Sequence, residues 1–408
     1  PNKIYWSNRD QTFEVAGVGI ADRLKSDQTR DYASLFQTIH QRLESLEQKA
    51  FYYGGFAFDI NKPAPEWQSF GNEQFILPQY ELFQQNGNYC LAFNLRSSEL
   101  QSAFCNDALA LLEALDFSMP TEYLSSPHVD RTVQSPDKIQ WQKTFKSLTQ
   151  DSGEPCYEKI VLARKTLLSC DEVINPVIIL RKLKEKTPGS FHFLFQTAFH
   201  TAFLGASPEQ LYKRNGKTIG CEAIAGTRTR GNNPEEDQKH ASELRSSVKD
   251  LLEHQFVVDD IKQTLESLCL SYKQEMSPSV VNAADVHHLA TRFEGTLKNS
   301  VTDADILKAL HPTPAVAGLP KDIICKIIRE LEPFDRGWYT GPMGVIGRDS
   351  CDFAVAIRCA LIQENTIALF AGAGIVQGST EESEWNEIEN KMKTFLELFE
   401  YDENCAHS

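Results

Sequence analysis

Antiparallel hairpins are the feature that most restricts this chain. The run YELFQQNGNYCLAFNL (80–95) sets Asn86-Gly87 between two strand-like stretches, and EQLYKRNGKTIGCEAIAG (209–226) repeats the device at Asn215-Gly216. Asn-Gly suits a two-residue turn that needs positive φ. A third hairpin spans FAVAIRCALIQENTIALFAGAGIV (353–376), with Gln363, Glu364 and Asn365 near its tip. Strands joined in this way run antiparallel, whereas a doubly wound nucleotide-binding fold needs strand–helix–strand units. The expected class is α+β.

Helices lie between the hairpins. Asn233-Pro234 followed by Glu235, Glu236 and Asp237 combines a cap, a proline at the first position and acids at the positive end of the helix dipole. Leu244, Val248, Leu251, Leu252, Val258, Ile261, Leu265 and Leu268 then recur at helical spacing, which predicts one long amphipathic helix. Pro320 starts another, with Ile323, Ile324, Ile327, Ile328 and Leu331 on its apolar side, and a last helix runs from about Glu382 to Phe399. The polar stretch SSPHVDRTVQSPDK (125–138) is the candidate linker between an N-terminal part, 1–135, and the remainder, 136–408, the two packing as one body.

Composition excludes several functions. A net charge of -15 with no offsetting basic block argues against nucleic-acid binding. An anionic small molecule is still acceptable where a metal ion or an arginine supplies local positive charge. The ten cysteines form no C-x-x-C pair and no zinc-like cluster, so they read as reduced core residues of a cytoplasmic protein. The stretch PNKIYWSNRD lacks signal-peptide features, and no apolar run approaches the ~18 residues of a membrane span. No association stripe is evident, and a monomer is expected.

Two helical segments carry acids at i, i+3: Asp250 and Glu253 in VKDLLEHQ, Glu384 and Glu387 in EWNEIENK. Residues three apart share a helix face, so each pair either lies on a solvated face or aims two carboxylates at one point. The second arrangement suits Mg²⁺, which takes carboxylate, water and substrate oxygens. Lys391 is placed for an i, i+4 bridge to Glu387. Gly372 and Gly374 in FAGAGIV allow close approach of backbone N–H groups to an anion, or simply a tight turn. Arg358, in the alternating run AVAIRC, requires a carboxylate partner from the protein or from a ligand. Arg228 and Arg230 in GTRTRG read as surface charges. In CYEKIVLARK (156–165), Lys159 opens an apolar strand and shares a face with Val161 and Ala163, while Arg164 and Lys165 read as strand-end charges.

Taken together, GASPEQL (205–211), AIAGTRTRG (223–231), EHQFVV (253–258), HLATRFEG (288–295), LHPTPAVAG (310–318), RGWYTGP (336–342), FAVAIR (353–358), AGAGIV (371–376) and EWNEIENK (384–391) resemble the chorismate-utilising enzymes, in that family's order, over roughly 139–400. The resemblance implies two large antiparallel sheets sandwiched face to face with flanking helices and an active-site cleft between them. It makes 1–135 the variable N-terminal part of the sandwich and 136–408 the chorismate-binding region. It also implies roles: Glu253, Glu387 and Glu384 for Mg²⁺, with Asp250 assisting. Arg358 and Tyr339, with the backbone of Ala373 and Gly374, would bind the enolpyruvyl carboxylate. His288 and the Gly226-Thr227 backbone would line the ring pocket, with Lys391 near the metal-bound carboxylate.

Family members differ in nucleophile. The isochorismate-forming type resembles this chain in having a lysine at the position of Lys159, where the anthranilate type usually has glutamine. Bacterial aminodeoxychorismate synthases carry a nucleophilic lysine where Ala225 stands in AIAGT. Both positions point to water, with Lys159 as general base and Glu209 of GASPE as general acid for the departing C4 hydroxyl. A lysine of ordinary pKa, ~10.4, is protonated at pH 7, so Lys159 is expected to be poorly exposed in the cleft. The expected reaction is Mg²⁺-dependent chorismate to isochorismate, with no glutaminase partner. IYWSNRD, FYYGGFAFD (51–59) and RGWYTGP resemble the menaquinone type more than the siderophore type. Ala317 replaces a glycine common in the family. Salicylate synthase is the nearest alternative, followed by an ammonia-using anthranilate-type subunit; a non-catalytic scaffold would have no use for the set.

Overall fold

The computed structural model describes residues 2–27, 31–46, 49–60, 63–95, 110, 127–150, 157–282 and 286–401. The first hairpin closes as the sequence suggests: Gln85 pairs with Asn88, and Asn86 and Gly87 take φ of 50° and 83°. In the second, Asn215 already pairs with Thr218, so the turn is Gly216-Lys217, with the glycine at the first central position. The third turns at Glu364-Asn365, between Gln363 and Thr366.

Extended through these hairpins, the described strands form two sheets, of 12 and 10 strands. The centre of the larger runs Lys159–Cys170, Thr366–Ile375, Cys359–Gln363, Thr201–Ser207, Phe191–Ala198, Lys3–Ser7. That of the smaller runs Val286–Leu297, Thr218–Thr229, Gln210–Asn215, Ser350–Val355, Pro342–Ile346. Neighbours in both series are antiparallel. One apolar layer joins the sheets: Phe193, Phe203 and Leu361 from the larger meet Tyr53, Ile76 and Val345 from the smaller. Helices cover the outer faces. Ile39, Val258 and Leu307 pack on the smaller sheet, Leu180, Ile324 and Ile388 on the larger. The architecture is therefore an α+β sandwich of two sheets between helices.

Two strand pairs pass side by side from one sheet to the other. Thr201–Ser207 leaves the larger sheet and Gln210–Asn215 enters the smaller; Ser350–Val355 leaves the smaller and Cys359–Gln363 enters the larger. The crossings are tied together by Ala206 N–H donating to Arg358 O (2.9 Å), Val355 N–H to Glu209 O (3.1 Å), and the Ser207 hydroxyl to Val355 O (2.6 Å). Glu209 and Arg358 thus sit where the chain changes sheets.

Several expectations need correction. The helix after Asn233 is two helices, Pro234–Ser246 and Val248–Leu268. Ser247 is extended, and its side chain accepts from Asp250 N–H as the cap of the second. A serine that caps the next helix competes with continuation of the previous one. Residues 128–135 of the proposed linker form a strand, His128–Ser135, paired with Lys159–Cys170; its polarity reflects partial exposure. Ser125 and Ser126 lie outside the described residues. Arg164 is fully buried, its guanidinium 4.3 Å from the Trp385 ring and 2.6 Å from Glu389. Cys170, Cys221, Cys269, Cys351 and Cys359 are buried, but Cys90 is exposed; Cys105, Cys156 and Cys405 fall outside the described residues. No helix among the described residues is long and apolar enough to cross a membrane.

Arg336, in RGWYTGP, holds the pocket end of strand Lys159–Cys170. It forms a buried fork to Glu332 (2.5 and 2.8 Å) and donates to Val161 O (2.9 Å) and Val316 O (2.8 Å). Glu332 in turn accepts from Ala163 N–H at 2.7 Å. Arg336→Ala strands a carboxylate and two carbonyls in the core. It is expected to destabilise the fold by about 3–5 kcal/mol, measured as a drop in urea midpoint at unchanged m-value.

Candidate active site

A pocket opens between the sheets at the paired crossings. Its walls come from Val161, Ala371 and Gly372 of the larger sheet, and from Ala225, Gly226, Thr227 and His288 of the smaller. Glu253 enters from the helix Val248–Leu268, Glu387 and Lys391 from the helix Glu381–Leu396, and Tyr339 from the loop after Arg336. Glu209 and Arg358 enter from the crossings. Residues up to 230 positions apart in sequence are gathered here because both sheets contribute to one cleft: Val161 and Lys391 line the same space.

Glu209 is 4% exposed. Burial, reinforced by the nearby Glu222 charge and opposed by Lys159 and Lys391, pushes its carboxyl up to about 8. At neutral pH it carries a proton, and a protonated carboxyl in a pocket can donate one.

Lys159, at the first position of its strand, is fully buried. Its Nζ lies 3.0 Å from Glu253 Oε1 but has no aligned hydrogen-bond acceptor among the described residues. Gly374 makes room for this pair: a Cβ there would stand 2.4 Å from Glu253 Oε1 and 3.1 Å from Lys159 Cε. The amine therefore lies behind Glu253. Burial raises the Glu253 carboxyl, but Lys159, Lys391 and Lys249 outweigh it and hold the group below its ordinary value.

Arg358 departs from the alternating-strand expectation. It adopts φ of 50° in the link between strands, is partly buried, and donates to Lys391 O at 2.8 Å. Lys391 makes the expected i, i+4 bridge to Glu387 (2.6 Å) and also donates to Gly372 O (2.8 Å). The Tyr339 ring stacks on Phe370 with centroids 5.3 Å apart. His288 Nδ1 lies 3.1 Å from Thr227 Oγ1, while its buried Nε2 has no hydrogen-bond partner among the described residues. Burial, then Arg358 and Lys391, lower this imidazole to about 3, so it is neutral at pH 7. A neutral ring with an unpaired buried nitrogen is suited to hydrogen-bonding a ligand.

Not every candidate lines the pocket. The glycine-stretch wall is formed by Ala371 and Gly372, whereas Ala373 packs in the core on the helical side and Gly374 faces Glu253 and Lys159. Asp250 sits at the edge, 3.3 Å from Arg228, with its Cβ packed near Gly226. Glu384 is fully buried and paired with Lys249 at 2.5 Å. Lys249 was not a candidate, since one more lysine on a helix carries no distinguishing spacing.

Among the described residues, no three acid, histidine or cysteine side chains already form a metal cage. Each carboxylate instead meets a lysine: Glu253 with Lys159, Glu387 with Lys391, Glu384 with Lys249. The donor set nevertheless fits a hard divalent cation. Among the described residues Glu384 Oε2 is buried without a hydrogen-bond partner, and burial plus the Glu387 charge lift that carboxyl to about 7, the sign of a site short of positive charge. A cation such as Mg²⁺ needs only one or two carboxylates when water and a ligand supply the other oxygens.

A cleft between two antiparallel sheets, with cationic side chains beside clustered carboxylates and one protonated acid, defines an enzyme that handles a small carboxylate-bearing molecule. The chain belongs to the chorismate-binding enzyme family, whose model, described as "Chorismate binding enzyme", matches residues 1–400. It is 32% identical to the isochorismate synthase MenF of Bacillus subtilis over 97% of this chain and 87% of that one. It is 33% identical to the chloroplastic isochorismate synthase of Catharanthus roseus over 97% of this chain and 70% of that one. Among solved structures it resembles MenF, the menaquinone-specific isochorismate synthase of Escherichia coli, with a TM-score of 0.81 and 28% identity, covering 98% and 89% of the two chains. Anthranilate synthase component I of Streptococcus pneumoniae shares the fold, with a TM-score of 0.75 at 23% identity, covering 94% and 92%.

Proposed function

We propose that this chain isomerises chorismate to isochorismate, adding water at C2 while the C4 hydroxyl departs. The observation that carries the reading is a buried, protonated Glu209 on the pocket wall, with a buried lysine, Lys159, held 3.0 Å behind the lining residue Glu253. Similarity to isochorismate synthases over 97% of the chain supports it.

In this reading Glu209 protonates the leaving hydroxyl and Lys159 takes the proton of the attacking water. Water is too weak a nucleophile, and hydroxide too poor a leaving group, for the exchange to proceed without both. Arg358 and Tyr339 hold the enolpyruvyl carboxylate, with Gly372 and the following backbone beside them. The Gly226-Thr227 backbone and His288 bound the ring. Glu253, Glu387 and Glu384 would hold Mg²⁺, with Asp250 assisting and Lys391 near the ring carboxylate. Bound there, the ion supplies positive charge to that carboxylate. The lysines now paired with the acids balance their charge. We further propose a cytoplasmic enzyme of menaquinone biosynthesis that works as a monomer without a glutaminase.

The deciding experiment incubates the protein with chorismate and Mg²⁺ without ammonia and separates the products by chromatography. Isochorismate alone is expected. Salicylate plus pyruvate would select a salicylate synthase, and no product would reject both. EDTA is expected to abolish turnover, and excess Mg²⁺ to restore it; turnover unchanged by EDTA would remove the metal from the reading.

A further inference from the structure

The peptide that carries Glu209 is gripped from both sides by one ion pair, of a partly buried arginine and a buried carboxylate. Arg9, in the loop between strands Lys3–Ser7 and Phe13–Val18, donates Nη1 to the carbonyl of Pro208 at 2.9 Å. The same guanidinium forms a fork to Glu222, Nη1 to Oε1 at 2.6 Å and Nη2 to Oε2 at 2.9 Å. Glu222 Oε1 in turn accepts from Gln210 N–H at 3.0 Å. The residues immediately before and after Glu209 are therefore fixed by a single fork, which joins the N-terminal loop to the strand Thr218–Thr229.

We propose that Arg9 and Glu222 are positioning residues for Glu209, clamping the peptides on either side of it. The inference rests on the general-acid reading of Glu209. The geometry explains why a charged fork is placed here rather than an apolar pair. A bidentate arginine–carboxylate pair fixes orientation as well as distance, and a carboxylate on the far side of an acid disfavours its ionisation. Other charges face the same carboxyl. Lys159 and Lys391 act in the reverse sense to Glu222. Asp352, on the adjoining strand, accepts from the Gln210 side chain at 3.3 Å. Arg358 and His288 face the pocket beside it. Asp352 and the pocket carboxylates Glu253 and Glu387 share the sign of Glu222, but Glu222 is the carboxylate whose charge acts most on Glu209.

The test is the pH dependence of isochorismate formation under saturating chorismate and Mg²⁺, for the wild type, Glu222→Gln, Glu222→Asp and Arg9→Met. A general acid fails as it deprotonates, so the alkaline limb reports Glu209. Glu222→Gln removes the charge and is expected to move that limb about one unit lower, with KM little changed. Glu222→Asp restores the charge and returns the limb, even where the shorter side chain lowers kcat. Arg9→Met releases the Pro208 carbonyl but leaves the carboxylate, so kcat falls about 10-fold while the limb stays or moves higher. A limb unmoved in Glu222→Gln, when Glu209→Gln is inactive, overturns the proposal and leaves the acid assignment standing. Full turnover in Glu209→Gln overturns both. If Glu222→Gln fails to fold, Arg9→Met decides: unchanged kcat refutes the clamp.

Discussion

Replacing Lys159 by alanine is expected to lower isochorismate formation by about 10³-fold, the scale of a lost general base, while chorismate still binds. Lys159 is the residue of its strand that faces Glu253, and its neighbours Ile160, Val161 and Leu162 are apolar and cannot take over a proton transfer. Binding survives because the groups proposed for the substrate carboxylates stand elsewhere. Arg358 lies at a crossing between sheets and Lys391 on the helix Glu381–Leu396. Because the site is fully buried, alanine also leaves a void. Lys159→Met fills that void without supplying a base, and should be equally inactive with a melting temperature closer to the wild type. Product chromatography measures the first effect, and calorimetric titration with chorismate in the presence of Mg²⁺ measures the second. A Met variant with wild-type turnover would remove Lys159 from the base role; lost affinity with intact chemistry would make it a binding residue instead.

What could be read from the sequence was what is encoded locally. The Asn86-Gly87 turn, the Asn233-Pro234 helix start and the acid pairs each depend on residues a few positions apart, and each is present in the fold. The low exposure expected of Lys159 is also found, although the residue stands behind Glu253 and not on the pocket wall. The misplacements share a cause. Ser247 reads as an ordinary helical position until its cap hydrogen bond is seen, and Arg164 reads as a strand-end charge until Trp385 and Glu389 close over it. The stretch 128–135 reads as a linker because a strand open on one face lacks a continuous apolar signal. Arg9 had no local signal, since its partner Glu222 lies 213 residues away. Glu209 and Arg358 were legible as motif residues, but their place at the two sheet crossings was not. A change of sheet depends on which strands pair, and that is settled by contacts distant in sequence.

Glu209→Gln is the sharpest test of the acid, because glutamine keeps the shape and hydrogen-bonding reach of the side chain but has no proton to give. Turnover is expected to fall by about 10³-fold, within the range for general acid catalysis, with chorismate affinity nearly unchanged. The wild type should lose kcat as pH rises past about 8, where burial and Glu222 have moved the Glu209 carboxyl. A stability measurement gives the same group an independent readout. Its folded value is raised from 4.5 to about 8, so the folded protein holds this proton more tightly than the unfolded chain. The resulting stabilisation is complete below about 4.5 and is lost as pH rises through about 8. Glutamine does not titrate and should lose none of it. The difference in unfolding free energy between Glu209→Gln and the wild type should therefore shift in favour of the variant across that window, as followed by urea unfolding at a series of pH values. A constant difference would mean that Glu209 is ionised in the folded protein at neutral pH, and a carboxylate already ionised could not protonate the leaving hydroxyl.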